Sequence, residues 1–153
     1  MENFQESMDK LNQLREMTDN HIKQMEEDYL KHYMETRNIK VGDIVQYRGF
    51  VQYEGYDVVK YAIITKMECE FINDRKWDDP NKSDIDNRFY IHMDSYDILD
   101  SGVSKRNNHY TMEEYEVLCS QDRLKEICDS MGMKFKLNRK VLKQITNVTI
   151  ESI

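Results

Sequence analysis

The chain has 153 residues, 39% hydrophobic and 33% charged, which is apolar material for one compact domain with an appendage. Its formal net charge of −7 argues against unaided binding to DNA, RNA or an anionic membrane, each of which needs a clustered positive face. No apolar run approaches the ~18 residues that span a bilayer, so a membrane role is not expected.

The first segment, residues 1–38, reads as one long amphipathic helix. Phe4, Met8, Leu11, Arg15, Thr18, Ile22, Met25 and Tyr29 are spaced alternately by four and three residues, the a/d seam of a heptad repeat. Leu14 and Met17 widen the stripe, while Arg15 and Thr18 leave a polar gap in it. Neither Pro nor Gly interrupts residues 1–37, and Asn38 is a suitable left-handed terminator. A seam of this kind fits either packing on its own domain or pairing with another copy or a partner. Phe4, Met8, Leu11, Ile22, Met25 and Tyr29 are the candidate oligomerisation residues, with a dimer the simplest product.

From Ile39 the period changes to two, and residues 39–119 read as an antiparallel β-rich domain. Val45, Tyr47, Gly49, Val51 and Tyr53 share one side of a first strand, and Glu54-Gly55-Tyr56-Asp57 reads as a turn. The run Val58 to Ile72 is the most pronounced strand, with Val59, Tyr61, Ile63, Thr65, Met67, Cys69 and Phe71 on one face. Residues 73–88 form a polar, Pro-interrupted loop, after which Phe89, Ile91 and Met93 alternate as a partner strand. Asp100-Ser101-Gly102 and Arg106-Asn107-Asn108 read as two further turns.

Residues 120–153 read as a C-terminal helix and a basic tail. Thr111-Met112-Glu113-Glu114 has the form of a capping box, but a short strand Tyr115–Cys119 followed by a helix capped at Ser120 accounts for more of the pattern. That helix carries the stripe Leu124, Ile127, Cys128, Met131 and meets Gly132. Beyond it, Met133, Phe135 and Leu137 alternate as in a strand, whereas Leu137, Val141, Leu142 and Ile145 are spaced as in a helix. The sequence predicts an α+β chain: long N-terminal helix, β-rich domain, C-terminal helix.

Charge is unevenly spread along these segments. Residues 1–119 hold 25 acids against 15 bases, and residues 120–153 hold 4 against 7. Lys134, Lys136, Arg139, Lys140 and Lys143 make the tail a candidate docking site for an acidic partner.

The chemistry-bearing residues do not assemble into a motif. Cys69, Cys119 and Cys128 are odd in number and lack C-x-x-C spacing, so reduced and mostly buried thiols are expected. His92, Asp94 and Asp97 offer N and O ligands without a fourth, and the loop with Asp78, Asp79, Asp84 and Asp86 lacks calcium-loop spacing. No metal site, cofactor or catalytic residue is therefore expected, and an enzyme is disfavoured. Met1 to Glu6 lack the basic start and apolar stretch of a signal peptide, so a cytoplasmic location is expected.

Lys40-Val41-Gly42-Asp43-Ile44-Val45, then Tyr61-Ala62-Ile63-Ile64 and Tyr115-Glu116-Val117-Leu118, resemble the opening and body of SH3-like small β-barrels. The resemblance covers residues 39–119 and implies five short antiparallel strands and a binding module. A single Ala and a single Pro against 13 Ile, 14 Lys and 11 Asn suggest an AT-rich genome. In size, acidity and composition the chain is similar to phage accessory proteins that bind and block a host factor, such as a defence nuclease.

These readings converge on a non-catalytic protein-binding module. Phe50, Tyr53, Tyr56 and Trp77, with Asp78 and Asp79 as an acidic rim, are its candidate partner-binding residues, suited to a protein with a basic, partly apolar surface. The alternative is a nucleic-acid-binding barrel that uses the basic tail.

Overall fold

The computed structural model describes residues 2–51, 55–72, 79–109 and 114–146. Helix α1 spans Glu2–Arg37, and β1 (Asp43–Val51) and β2 (Gly55–Phe71) follow. After a short 3-10 turn at Asp86–Arg88 come β3 (Phe89–Leu99), β4 (Gly102–Asn108) and β5 (Tyr115–Ser120). Helices α2 (Gln121–Ser130) and α3 (Arg139–Thr146) complete an α+β chain.

The element boundaries follow from local chemistry. Asn38 has φ of +52°, in the left-handed region where its short polar side chain is tolerated, and it stops α1. Gly42, at φ +95°, turns the chain into β1, and its N–H donates to the Ile64 carbonyl at 2.8 Å. Asp43 tightens that turn by accepting from the Lys40 N–H at 2.9 Å. Ser120 caps α2, its hydroxyl accepting from the Arg123 N–H at 3.1 Å. Asn138 does the same for α3, accepting from the Val141 N–H at 2.9 Å. The tail thus resolves into an irregular stretch at 133–137 and a helix from Arg139, so both of its periodicities belong to separate pieces.

The five strands form one sheet in the order β4-β3-β2-β1-β5. The register places Ile44 opposite Ile63, Val45 opposite Ala62, and Tyr47 opposite Tyr115 on the other neighbour. This corrects the expectation of an SH3-like barrel: β4 and β5 are the two ends of the sheet order, and the sheet is neither closed nor strongly curled. Closure is one way to bury a sheet face, and covering it with helices is another. Here α2 and α3 supply Leu124, Ile127, Cys128, Val141, Leu142 and Ile145 against Ile44, Tyr61, Ile63 and Ile98. The opposite face is buried as well, at Val45, Tyr47, Ala62, Ile64, Met93 and Ser95. A second correction concerns Arg106-Asn107-Asn108, which belong to β4 and pair with β3 through Tyr96–Asn107 and Ser95–Asn108. A polar edge strand has the composition of a turn.

By contacts the chain divides into two compact units. One comprises residues 1–36 with 69–91, the other residues 37–68 with 92–153. The second holds the helix-covered core just described. In the first, Tyr29 of α1 stacks on Phe89 with ring centroids 4.3 Å apart and planes within 8°, and Phe71 meets Phe89 at 5.3 Å. Glu26 accepts the Phe71 N–H at 2.9 Å.

Candidate functional site

Helix α1 is long and uninterrupted. Its 36 residues contain neither Gly nor Pro, and Gln5→Asp9 and Gln24→Asp28 hydrogen bonds of 3.0 Å brace its surface at i, i+4 spacing. At 3.6 residues per turn, Phe4, Met8, Leu11, Ile22, Met25 and Tyr29 fall within an arc of about 100°. The candidate oligomerisation seam is therefore one continuous face, but its two halves have different surroundings. Ile22, Met25 and Tyr29 are half-buried, and Tyr29 stacks on Phe89 of its own unit. Every residue from Asn3 to His21 is exposed. Within that stretch Phe4 is 73% exposed, Met8 58%, Leu11 45%, Leu14 59% and Met17 67%. Single exposed apolar residues are ordinary; an aligned row of large ones on a helix is the pattern of a docking face.

Tyr29 also shows how the supported half is held. Its hydroxyl donates to the Asp86 carboxylate at 2.7 Å, and Ser83 donates to the same group at 2.8 Å. These two bonds hold the Asp86 carboxyl below the usual carboxylate range, while burial and the Asp86 charge push the Tyr29 phenol up.

The aromatic set proposed from the sequence lies largely outside the described residues. That holds for Tyr53, Trp77 and Asp78 entirely, and for the side chains of Phe50 and Tyr56, whose backbones sit in β1 and β2. Asp79 is exposed and organises its own loop: its carboxylate accepts from the Asn81 N–H at 2.9 Å, and its N–H donates to Asn87 Oδ1 at 3.0 Å. The buried Asn87 side chain returns a bond of 3.1 Å to the Asp79 carbonyl.

Polar clusters missed by sequence reading lie along β3 and β4. His109 Nδ1 meets Asp94 Oδ1 at 3.0 Å, and the Thr65 hydroxyl donates to the Asp94 carbonyl at 3.3 Å. On the opposite face Asp97 accepts from the Tyr47 hydroxyl and from Asn108 Nδ2. Reading residues 106–108 as a turn hid both, because only strand pairing brings Asn108 and His109 beside β3. His92 and Asp94 share a strand face as expected, yet among the described residues no group of three metal-ligating side chains converges.

The thiols are poorly placed for nucleophilic work. Burial first, then the charges of Glu26 and Glu70, push Cys69 up to about 11. Burial likewise raises Cys119 to about 11, and Cys128 is fully buried. In the basic tail, Arg139 is committed to Asp100 by two bonds of 3.0 and 2.8 Å, while Lys134, Lys136, Lys140 and Lys143 are exposed. Among the described residues no helix is long and apolar enough to cross a membrane. Compared with known protein families, curated proteins and solved structures, the chain matches none.

Proposed function

We propose that this chain is a non-catalytic protein-binding module that engages other protein through the apolar row on the first half of α1. The observation that carries the reading is the exposure of Phe4, Met8 and Leu11 on the same helix face that packs from Ile22 onward. Side chains of this size on one stripe gain roughly 1.5–3 kcal/mol each when fully buried, a gain that a partner docked on the row would supply. The acidic body suits association with proteins of opposite charge, and occlusion of a basic, nucleic-acid-facing surface on a host enzyme is the blocking role that fits it.

The test compares the full-length chain with its Leu11→Asp variant as bait, against extract of the source cell and against a differently tagged copy of the chain itself. Protein retained by the wild type and lost by Leu11→Asp is the expected outcome. Equal retention by both, with helix content unchanged by circular dichroism, overturns the reading.

A further inference from the structure

We infer that the row Phe4–Met8–Leu11–Arg15 pairs with the same row of a second copy of this chain, the two helices running antiparallel. This rests on the protein-binding reading and names the occupant of that face.

Charge favours a second copy. With Met8 and Arg15 at a and Phe4 and Leu11 at d, the flanking e and g positions are Gln5, Ser7, Asn12 and Leu14, all uncharged. Apart from Arg15 in the seam, the charges of this stretch, Glu6, Asp9, Lys10 and Glu16, fall at b, c and f, away from it. Two copies of a chain with net charge −7 can therefore meet on this face without setting like charges across it. A basic partner would find no acidic flanks on this row and would meet the acidic residues elsewhere on the chain, which leaves the row itself to a second copy.

Arg15, the polar residue in the seam, separates the two directions of pairing. In a parallel pair it faces itself, and two guanidinium groups oppose each other across an apolar contact. In an antiparallel pair with Met8 opposite Leu11, the layers become Phe4–Arg15, Met8–Leu11, Leu11–Met8 and Arg15–Phe4. Each guanidinium then lies over the second copy's Phe4 ring, a favourable cation–π arrangement, and its polar edge reaches water. Gln5 meets Asn12 on one flank, and Ser7 meets Leu14 on the other. The polar gap thereby becomes the element that sets direction, as single polar core residues do in helix pairs. Ile22, Met25 and Tyr29 lie beyond the paired layers, which agrees with their packing inside their own unit.

Sedimentation equilibrium on the full chain tests this. Four layers make a small interface, so a dimer with a dissociation constant of about 1–100 µM is expected. Leu11→Asp, which changes two layers of the pair, is expected to weaken it by at least ~50-fold; Leu11 being exposed in the single chain, the helix-covered sheet should keep its melting temperature. Direction is read by mixing the wild type with Arg15→Glu. Parallel pairing would match Arg with Glu and make the mixed dimer the tightest species, whereas antiparallel pairing leaves it intermediate between the two homodimers. A wild type monomeric at about 200 µM, a dimer indifferent to Leu11→Asp, or a mixed dimer tighter than the wild type overturns the inference. A monomeric wild type whose captured partner is still lost on Leu11→Asp removes the self-pairing alone and leaves the protein-binding reading intact.

Discussion

Asp86 is exposed, yet two hydroxyls, from Tyr29 and Ser83, fix its carboxylate, and that places its contribution to stability on the pH axis. Its folded pKa lies below its unfolded value, so the stabilisation is complete above the ordinary aspartate value near ~3.9 and disappears as pH falls through the lower folded value. Asp86→Asn keeps the size and loses the charge. The variant should melt below the wild type at pH 6, by an amount worth at most about 1 kcal/mol because solvent screens the site. The two melting curves should converge as the pH is lowered through that folded value. A gap that persists there would assign the loss to packing of the amide rather than to the carboxylate.

At the scale of single elements, the legible parts of the sequence were those where one residue type has one structural use. Asn38 ends α1 and Ser120 begins α2, because a left-handed stop and a side-chain cap leave few alternatives. Alternation from Val59 to Phe71 marked β2 for the same reason, since no helix presents a face of period two. Where a residue type has two uses, reading failed. Arg106, Asn107 and Asn108 suit a turn and a polar edge strand equally, and only the pairing with β3 decides. Lys40–Val45 opens a strand without specifying whether the sheet closes, which depends on what covers its face, here α2 and α3. The row on α1 was legible as a seam, but its division at His21 was not, because the same types of apolar residue suit packing on the chain's own unit and an exposed face. Of the aromatic site, only Asp79 falls among residues whose side chains are described, and it braces a loop. Caps also give the clearest prediction at this scale. Ser120→Ala and Asn138→Ala should each cost about 1 kcal/mol in denaturant unfolding, since each leaves a helix N–H without its acceptor. A change under a few tenths would mean that water or a neighbouring group replaces the cap.

For the molecule as a whole, stability draws on the two-sided burial of the sheet. Cys69, Cys119 and Cys128 are free thiols, and among the described residues no three metal ligands meet. Neither a chelator nor a reducing agent should therefore shift the melting temperature by more than about 2 °C. A larger fall with chelator would point to ligands outside the described residues; one with reductant would point to a disulfide formed between copies.

The exposed half of α1 has a consequence for how the protein responds to dilution. A helical stretch of about twenty residues with nothing along its side is marginal in water, because each turn holds itself only by its own backbone bonds. Its amides from Asn3 to His21 then open turn by turn, while those beyond Ile22 open with the unit in which they pack. If the row is occupied, opening and dissociation become one event, and concentration acts on the order of the segment as directly as temperature does. Scarce chains would carry a fraying, protease-accessible segment, and abundant ones a closed rod.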